Sequence, residues 1–231
     1  MQKNLDHMES PALMTNLRYS LKKIDKLYPL HLFMTLVAIP LFIVRTKGDA
    51  ILLRTFKVFL NVTLLQSWFP WEHFRYTMNN LSWFLSVMMF LYFMFPWIGV
   101  WIGKLSTVGR VCLLLCVWIL MFLSGYIISK SVPVPDAEKV LQGLTYNNPI
   151  YRLGDFIIGC CVGAIYKTTA FKIPYRTGTI LETAALFLSI FFILIDWNSV
   201  IPGLTYHWFK PCLYIIPVIP VIVLFSKTGG E

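Results

Sequence analysis

The chemistry open to this sequence depends on a few ionisable residues inside or beside long apolar runs. Arg152, Asp155 and Glu182 are the clearest examples. A charge inside a bilayer is costly unless it faces a cavity or a partner, so such residues are candidates for substrate contact. Arg152 and Asp155 are three residues apart, which places them on one helix face where they can pair. An ion pair that only orients the helix is the alternative.

His31 is the weak candidate for a catalytic base, and the sequence identifies no other catalytic residue. It lies at the start of an apolar run, close after Tyr28. A histidine titrates near neutral pH and can therefore take and return a proton. The alternative is an interfacial histidine that bonds a neighbour or a lipid headgroup.

A third group of polar residues lies in the apolar run from Asn79 to Pro96. Serines in membrane helices usually bond the backbone or help helices to pack. An aromatic residue with a polar tip can anchor such a helix at the membrane surface. The candidate substrate or intramembrane polar residues of this run are Ser82, Trp83, Ser86 and Tyr92.

The composition predicts the elements that must position these residues. The chain is 57% apolar and only 13% charged, with a mean hydropathy of +0.67. Soluble domains carry far more charge, so we expect an all-α, polytopic bundle in a lipid bilayer. The net charge of +9 is spread in small groups between apolar runs, which indicates membrane topology and argues against nucleic acid. The five cysteines show no paired ligand spacing, so no metal site is expected.

The apolar runs predict about six full spans and one short or re-entrant helix. The short helix carries Arg54 and Lys57 in its first turns, where a lipid-facing span would bury them at a cost. We expect a polar N-terminal segment (1–26), a membrane domain (27–227) and a tail (228–231), with an exposed, extracytoplasmic loop at 129–148. The helices are expected at about 28–44, 51–68 (the short one), 81–102, 108–128, 150–166, 179–195 and 211–225.

Three stretches together resemble one known family. SWFLSV at 82–87, with Tyr92 and Pro96 after it, is similar to the "SW-x-LS-x" span of the acyltransferase-3 family of membrane O-acyltransferases. KKIDKLYPL at 22–30 resembles the basic "R-x-x-R…YP" approach to that family's third span. NPIYRLGDFIIG at 148–159 resembles its "NP-x-x-RL-x-E/D-F-x-x-G" helix. The three stretches occur in the family's order.

The resemblance implies transfer of an acyl group, often acetyl, to a hydroxyl of a sugar or other cell-envelope acceptor. The donor would be an acyl-CoA-type thioester, used as a substrate, with no bound cofactor. Lys22, Lys23 and Lys26 would bind the donor's phosphates, and Arg152 would help to shape the site. A multi-pass protein of the plasma membrane is the implied location.

The chain also departs from the family pattern. The family's motif of an Arg, ten residues and a His has no counterpart among the four histidines. We therefore interpret the chain as a truncated form and expect it not to transfer acyl groups by itself. There are two alternative functions: a small transporter or flippase component, and a non-catalytic membrane scaffold.

Overall fold

The fold is all-helical throughout the part of the chain that can be described. The computed structural model describes residues 13–131, 137–168, 175–195, 197 and 206–228. Within these ranges every regular element is a helix, which confirms the predicted all-α class. The predicted boundaries at 26 and 227 stay predictions, and residues 1–12 and 229–231 lie outside the described ranges.

The described helices follow one another with short connections. A single 3₁₀ turn, Gln66–Trp68, lies between α4 and α5. The helices are α1 (Leu13–Ile24), α2 (Tyr28–Val37), α3 (Ile39–Arg45), α4 (Ile51–Val62), α5 (Glu72–Arg75), α6 (Ser82–Lys104), α7 (Thr107–Ser131), α8 (Ala137–Thr145), α9 (Pro149–Thr168), α10 (Tyr175–Leu194) and α11 (Tyr206–Thr228).

Four of these helices are long and apolar enough to cross a membrane. They are α6, α7, α9 and the Arg176–Leu194 part of α10. If the bent pair of α2 and α3 is one span, it is the fifth. The described residues are therefore compatible with a membrane protein. The predicted number of six full spans stays a prediction, because the apolar described part of α11, Cys212–Phe225, is shorter.

Two of the predicted helices are not long, continuous helices in the structure. The run predicted at 28–44 is broken near Ala38, where α2 and α3 meet at an angle of 51°. Pro40 lies in the first turn of α3, where a missing N–H group costs little. The helix predicted at 51–68 ends at Val62 after 12 residues, a length of about 18 Å against a hydrocarbon core of about 30 Å. That this helix does not cross the membrane fully stays a prediction.

The chain divides into two compact units. The first comprises residues 1–100 and 132–153, and the second comprises 101–131 and 154–231. In the second unit, α10 packs along α11, and the indole N–H of Trp118 on α7 donates to the carbonyl of Cys212 at 2.8 Å.

Arg110 on α7 is the main polar link described in the second unit. Its guanidinium is buried and donates to carbonyls at the end of α6, those of Ile102 (3.2 Å) and Gly103 (3.3 Å). It also reaches the end of α9 at the Ala164 carbonyl (3.5 Å) and the Thr168 hydroxyl (3.4 Å). A cation is favourable there because the last carbonyls of a helix are unpaired and carry partial negative charge.

In the first unit, a helix lies within the stretch that we predicted as an exposed loop at 129–148. This helix, α8, packs against the connection between α4 and α6. The two backbones approach each other closely at Gly143, where an added Cβ would lie 2.1 Å from the carbonyl oxygen of Pro70. Only glycine allows this contact, because the obstructing atom belongs to the backbone.

This contact predicts that Gly143→Ala destabilises the protein. Overpacking of this kind typically costs about 1–3 kcal/mol, and we expect thermal unfolding in nanodiscs to begin several degrees lower. Gly159→Ala on α9 is the matched control, because an added Cβ there meets no described atom within 4 Å. The control should be neutral or slightly stabilising, since alanine favours a helix by up to ~1 kcal/mol over glycine. Equal melting curves for the two variants would contradict the packing.

Candidate functional site

Among the residues where α4 ends, Asn61 and Leu64 are buried in the first unit. Leu64 adopts a left-handed conformation with a φ of 58°. The N–H of Leu65 bonds the carbonyl of Leu60 at 2.9 Å, and the N–H of Leu64 bonds that of Asn61 at 3.3 Å. These two bonds form a Schellman motif, which usually has glycine at the left-handed position. The chain thus leaves the helix after about three turns, and we call residues 61–67 the α4 junction.

Side chains from two other helices bond the carbonyls of the α4 junction. A helix end inside an apolar environment needs such partners, because its last carbonyls have none within the helix. The donors are the Tyr28 hydroxyl to Val62 (2.8 Å), His31 Nε2 to Asn61 (2.9 Å) and the Ser86 hydroxyl to Leu64 (2.5 Å).

Ser82 and Ser67 complete the contact between the α4 junction and the start of α6. The Ser82 hydroxyl donates to the Asn79 carbonyl at 2.7 Å and accepts a bond from the Gln66 side-chain amide at 3.0 Å. The Ser67 hydroxyl donates to the carbonyl of Trp83 at 2.9 Å. Both candidate serines of α6, Ser82 and Ser86, therefore act in capping and packing, since their protons are engaged by carbonyl oxygens.

Tyr146, which the sequence analysis missed, joins Trp83 to Arg152. The Trp83 and Tyr146 rings are 5.2 Å apart between centroids. The Arg152 guanidinium lies 4.5 Å from the Tyr146 ring centroid, and its Nε donates to the Tyr146 carbonyl at 2.7 Å. The side chain of Tyr146 is partly exposed. The arrangement is an aromatic and cationic surface that can contact the face of a sugar or an aromatic group.

Arg75 is a second residue that the sequence analysis missed. It is fully buried, and burial lowers the pKa of its guanidinium from the ordinary value. Every hydrogen-bond acceptor it has among the described residues is uncharged. They are the carbonyls of Pro70 (3.1 Å) and Lys139 (2.7 Å), the Tyr76 hydroxyl (3.3 Å) and Asn147 Oδ1. Arg75 thereby ties the connection before α6 to the segment around α8.

A charged cluster lies beside the α4 junction. Lys57 is buried and donates to Asp49 at 2.7 Å. This hydrogen bond lowers the pKa of Asp49 below its ordinary value. Desolvation, with repulsion from Lys57 as the second cause, lowers the pKa of His73 below its ordinary value.

The other predicted site residues lie elsewhere. Lys22, Lys23 and Lys26 are exposed at the end of α1 and in the turn after it, and Lys23 lies 5.5 Å from the ring centroid of Tyr19. Tyr92 is partly buried further along α6. Asp155 and Glu182 are partly buried and belong to the second unit, whereas the α4 junction belongs to the first.

The comparisons with known proteins give no match for this chain. No protein-family model, no curated protein and no solved structure matches it.

The shifted pKa of His73 predicts how stability depends on pH. A lowered pKa means that the folded protein binds the proton less tightly than the unfolded chain. The contribution of His73 to the free energy of unfolding is therefore fully present above the ordinary histidine pKa. It is lost as the pH falls through the lowered pKa that His73 has in the folded protein.

We expect His73→Gln to reduce the fall in melting temperature between about pH 7 and pH 5. His7→Gln, at a position outside the described ranges, is the matched control and should keep the wild-type slope. The measurement is thermal unfolding in nanodiscs at a series of pH values. A slope unchanged by His73→Gln would contradict the lowered pKa of His73.

Proposed function

We propose that this chain is a multi-pass, membrane-bound O-acyltransferase of the plasma membrane. It would transfer an acyl group from an acyl-CoA-type thioester to a hydroxyl of a sugar or cell-envelope acceptor. The observation that supports the proposal is that two of the three sequence motifs, and residues 148–153 of the third, lie within the first unit. Tyr28 and Ser86 both donate hydrogen bonds to carbonyls of the α4 junction. Trp83 and Arg152 both contact the ring of Tyr146. Motifs that serve one reaction are expected to meet in this way.

His31 is the general base in this proposal, in place of the histidine of the family motif. The proposal therefore replaces the earlier expectation that the chain does not transfer acyl groups by itself. It is 4% exposed, and its Nε2 lies 2.9 Å from the Asn61 carbonyl, which can only accept a hydrogen bond. The neutral ring therefore carries its proton on Nε2. Its Nδ1, which bonds no other described residue, keeps a lone pair for a substrate proton. A fixed tautomer of this kind is what a general base needs.

The reaction balances with this single base. Nδ1 of His31 takes the proton of the acceptor hydroxyl as its oxygen attacks the thioester carbonyl carbon, which forms a C–O bond. The tetrahedral intermediate then releases the thiolate as the C–S bond breaks. The histidine returns the proton to the sulfur. The products are an O-acyl ester and a free thiol, and no other reactant is consumed.

The donor's phosphates would be bound by Lys22, Lys23 and Lys26. All three side chains are exposed, and lysine binds phosphate as a point charge. The proposal predicts that charge reversal at these positions raises KM for the donor and leaves KM for the acceptor unchanged.

The direct test is turnover by the purified chain in nanodiscs. Thiol release from acetyl-CoA is measured with and without a panel of hydroxyl acceptors. We expect acceptor-dependent release and a loss of about 10²- to 10⁴-fold in His31→Ala, the usual value of a general base. His7→Ala is the matched control and should retain activity.

Two results would contradict the proposal. One is the absence of turnover in the intact chain, which is what the sequence analysis expected. The other is equal turnover in the His31→Ala and His7→Ala variants, which would remove His31 from the mechanism.

A further inference from the structure

One face of α1 carries a line of exposed apolar side chains. Met14, Leu17 and Leu21 are 63%, 43% and 53% exposed. Their spacing of three and four residues places them one above another along the helix, and we call them the α1 stripe. Single apolar residues on a surface are ordinary, but an aligned set indicates a contact with an apolar partner.

Another face of α1 packs against α6, a helix long and apolar enough to cross a membrane. Ser20 is fully buried, and its hydroxyl donates to the carbonyl of Met89 at 3.1 Å. The ring of Tyr19 stacks on that of Phe95, with 5.8 Å between centroids. Since Met89 and Phe95 belong to the apolar helix itself, these contacts hold the α1 stripe beside the lipid that would surround α6.

Two basic residues border the α1 stripe. Arg18 follows Met14 by four residues and Lys22 follows Arg18 by four, so the two cations are neighbours along one edge of the helix. Both side chains are exposed. Their long stems can lie along an apolar surface while the charged ends reach a polar headgroup. An apolar line with cations beside it is typical of a helix that lies at a lipid surface.

Charge selects the kind of lipid. Residues 13–27 contain four basic residues and one acidic residue, Asp25. Within the described ranges, neither Arg18 nor Lys22 belongs to an ion pair. A negatively charged headgroup is therefore attracted to this edge of α1. A second copy of α1 would bring the same positive charge and would be repelled.

We propose that the α1 stripe, with Arg18 and Lys22, binds an anionic phospholipid. An acyl chain lies along Met14, Leu17 and Leu21. The headgroup phosphate accepts hydrogen bonds from the guanidinium of Arg18 and the ammonium of Lys22. The inference goes beyond the proposed function and does not rest on it, because no acyl transfer is involved and Arg18 is not one of the donor-binding lysines.

The test measures lipid binding to the intact chain. The purified protein in detergent micelles is titrated with phosphatidylglycerol or with phosphatidylcholine, and bound lipids are counted by native mass spectrometry. We expect tighter binding of phosphatidylglycerol. Arg18→Gln and Lys22→Gln should each weaken it about 5-fold, the usual effect of one basic residue near an anionic lipid. Binding of phosphatidylcholine should not change.

Lys23→Gln is the matched control. Lys23 is the next residue in the sequence and is also exposed, but its ammonium lies 5.5 Å from the ring centroid of Tyr19, on a different side of the helix from the α1 stripe. This variant should keep the wild-type preference for phosphatidylglycerol. A second variant, Leu17→Ala, shortens the α1 stripe and should weaken both lipids by a similar factor, because it removes apolar contact without changing charge.

Three results would overturn the inference. They are equal binding of the two lipids to wild type, equal binding of phosphatidylglycerol by Lys22→Gln and Lys23→Gln, and displacement of the lipid by glycerophosphoglycerol, its headgroup without acyl chains. The last result would indicate a site for free phosphates. Arg18→Gln should leave KM for acetyl-CoA unchanged. Absence of thiol release in the turnover assay would reject the acyltransferase proposal and leave the lipid site in place.

Discussion

The first unit depends on the need to satisfy the carbonyl groups where α4 ends. Any helix leaves its last four carbonyls without partners in the helix, and an apolar surrounding offers no water to replace them. Here α4 stops after 12 residues, so its end lies among other helices. Tyr28, His31 and Ser86 supply the missing donors. The same bonds hold α2, α4 and α6 together.

This arrangement explains why polar residues of distant motifs lie close together in an apolar chain. The bond between Ser86 and the α4 junction fixes the start of α6, which places Trp83 beside Tyr146 and Arg152. Arg75 adds a second tie, because it reaches Asn147, 72 residues later in the sequence. Since both ties lie in the first unit, the bonds that stabilise this unit also position its candidate site.

The long helices could be predicted from the sequence, whereas the α4 junction could not. Apolar runs at 81–102 and 108–128 correspond to α6 and α7 within a few residues, because hydropathy over about twenty residues is a strong signal. Leu64 gives no such signal, since its left-handed conformation is usually a property of glycine. Arg75 and Tyr146 also escaped prediction, because their importance comes from contacts with residues remote in sequence. The amphipathic α8 is short and was taken for part of a loop.

The most direct test of this account is hydrogen exchange at the α4 junction. The chain in nanodiscs is compared with a Tyr28→Phe/Ser86→Ala double variant, in which two of the three donors are removed. The account predicts faster exchange in peptides that cover residues 60–66, where the N–H groups of Leu64 and Leu65 close the helix. Peptides from α10 should be unchanged. Unaltered protection at residues 60–66 in the double variant would contradict the claim that these side chains hold the end of α4.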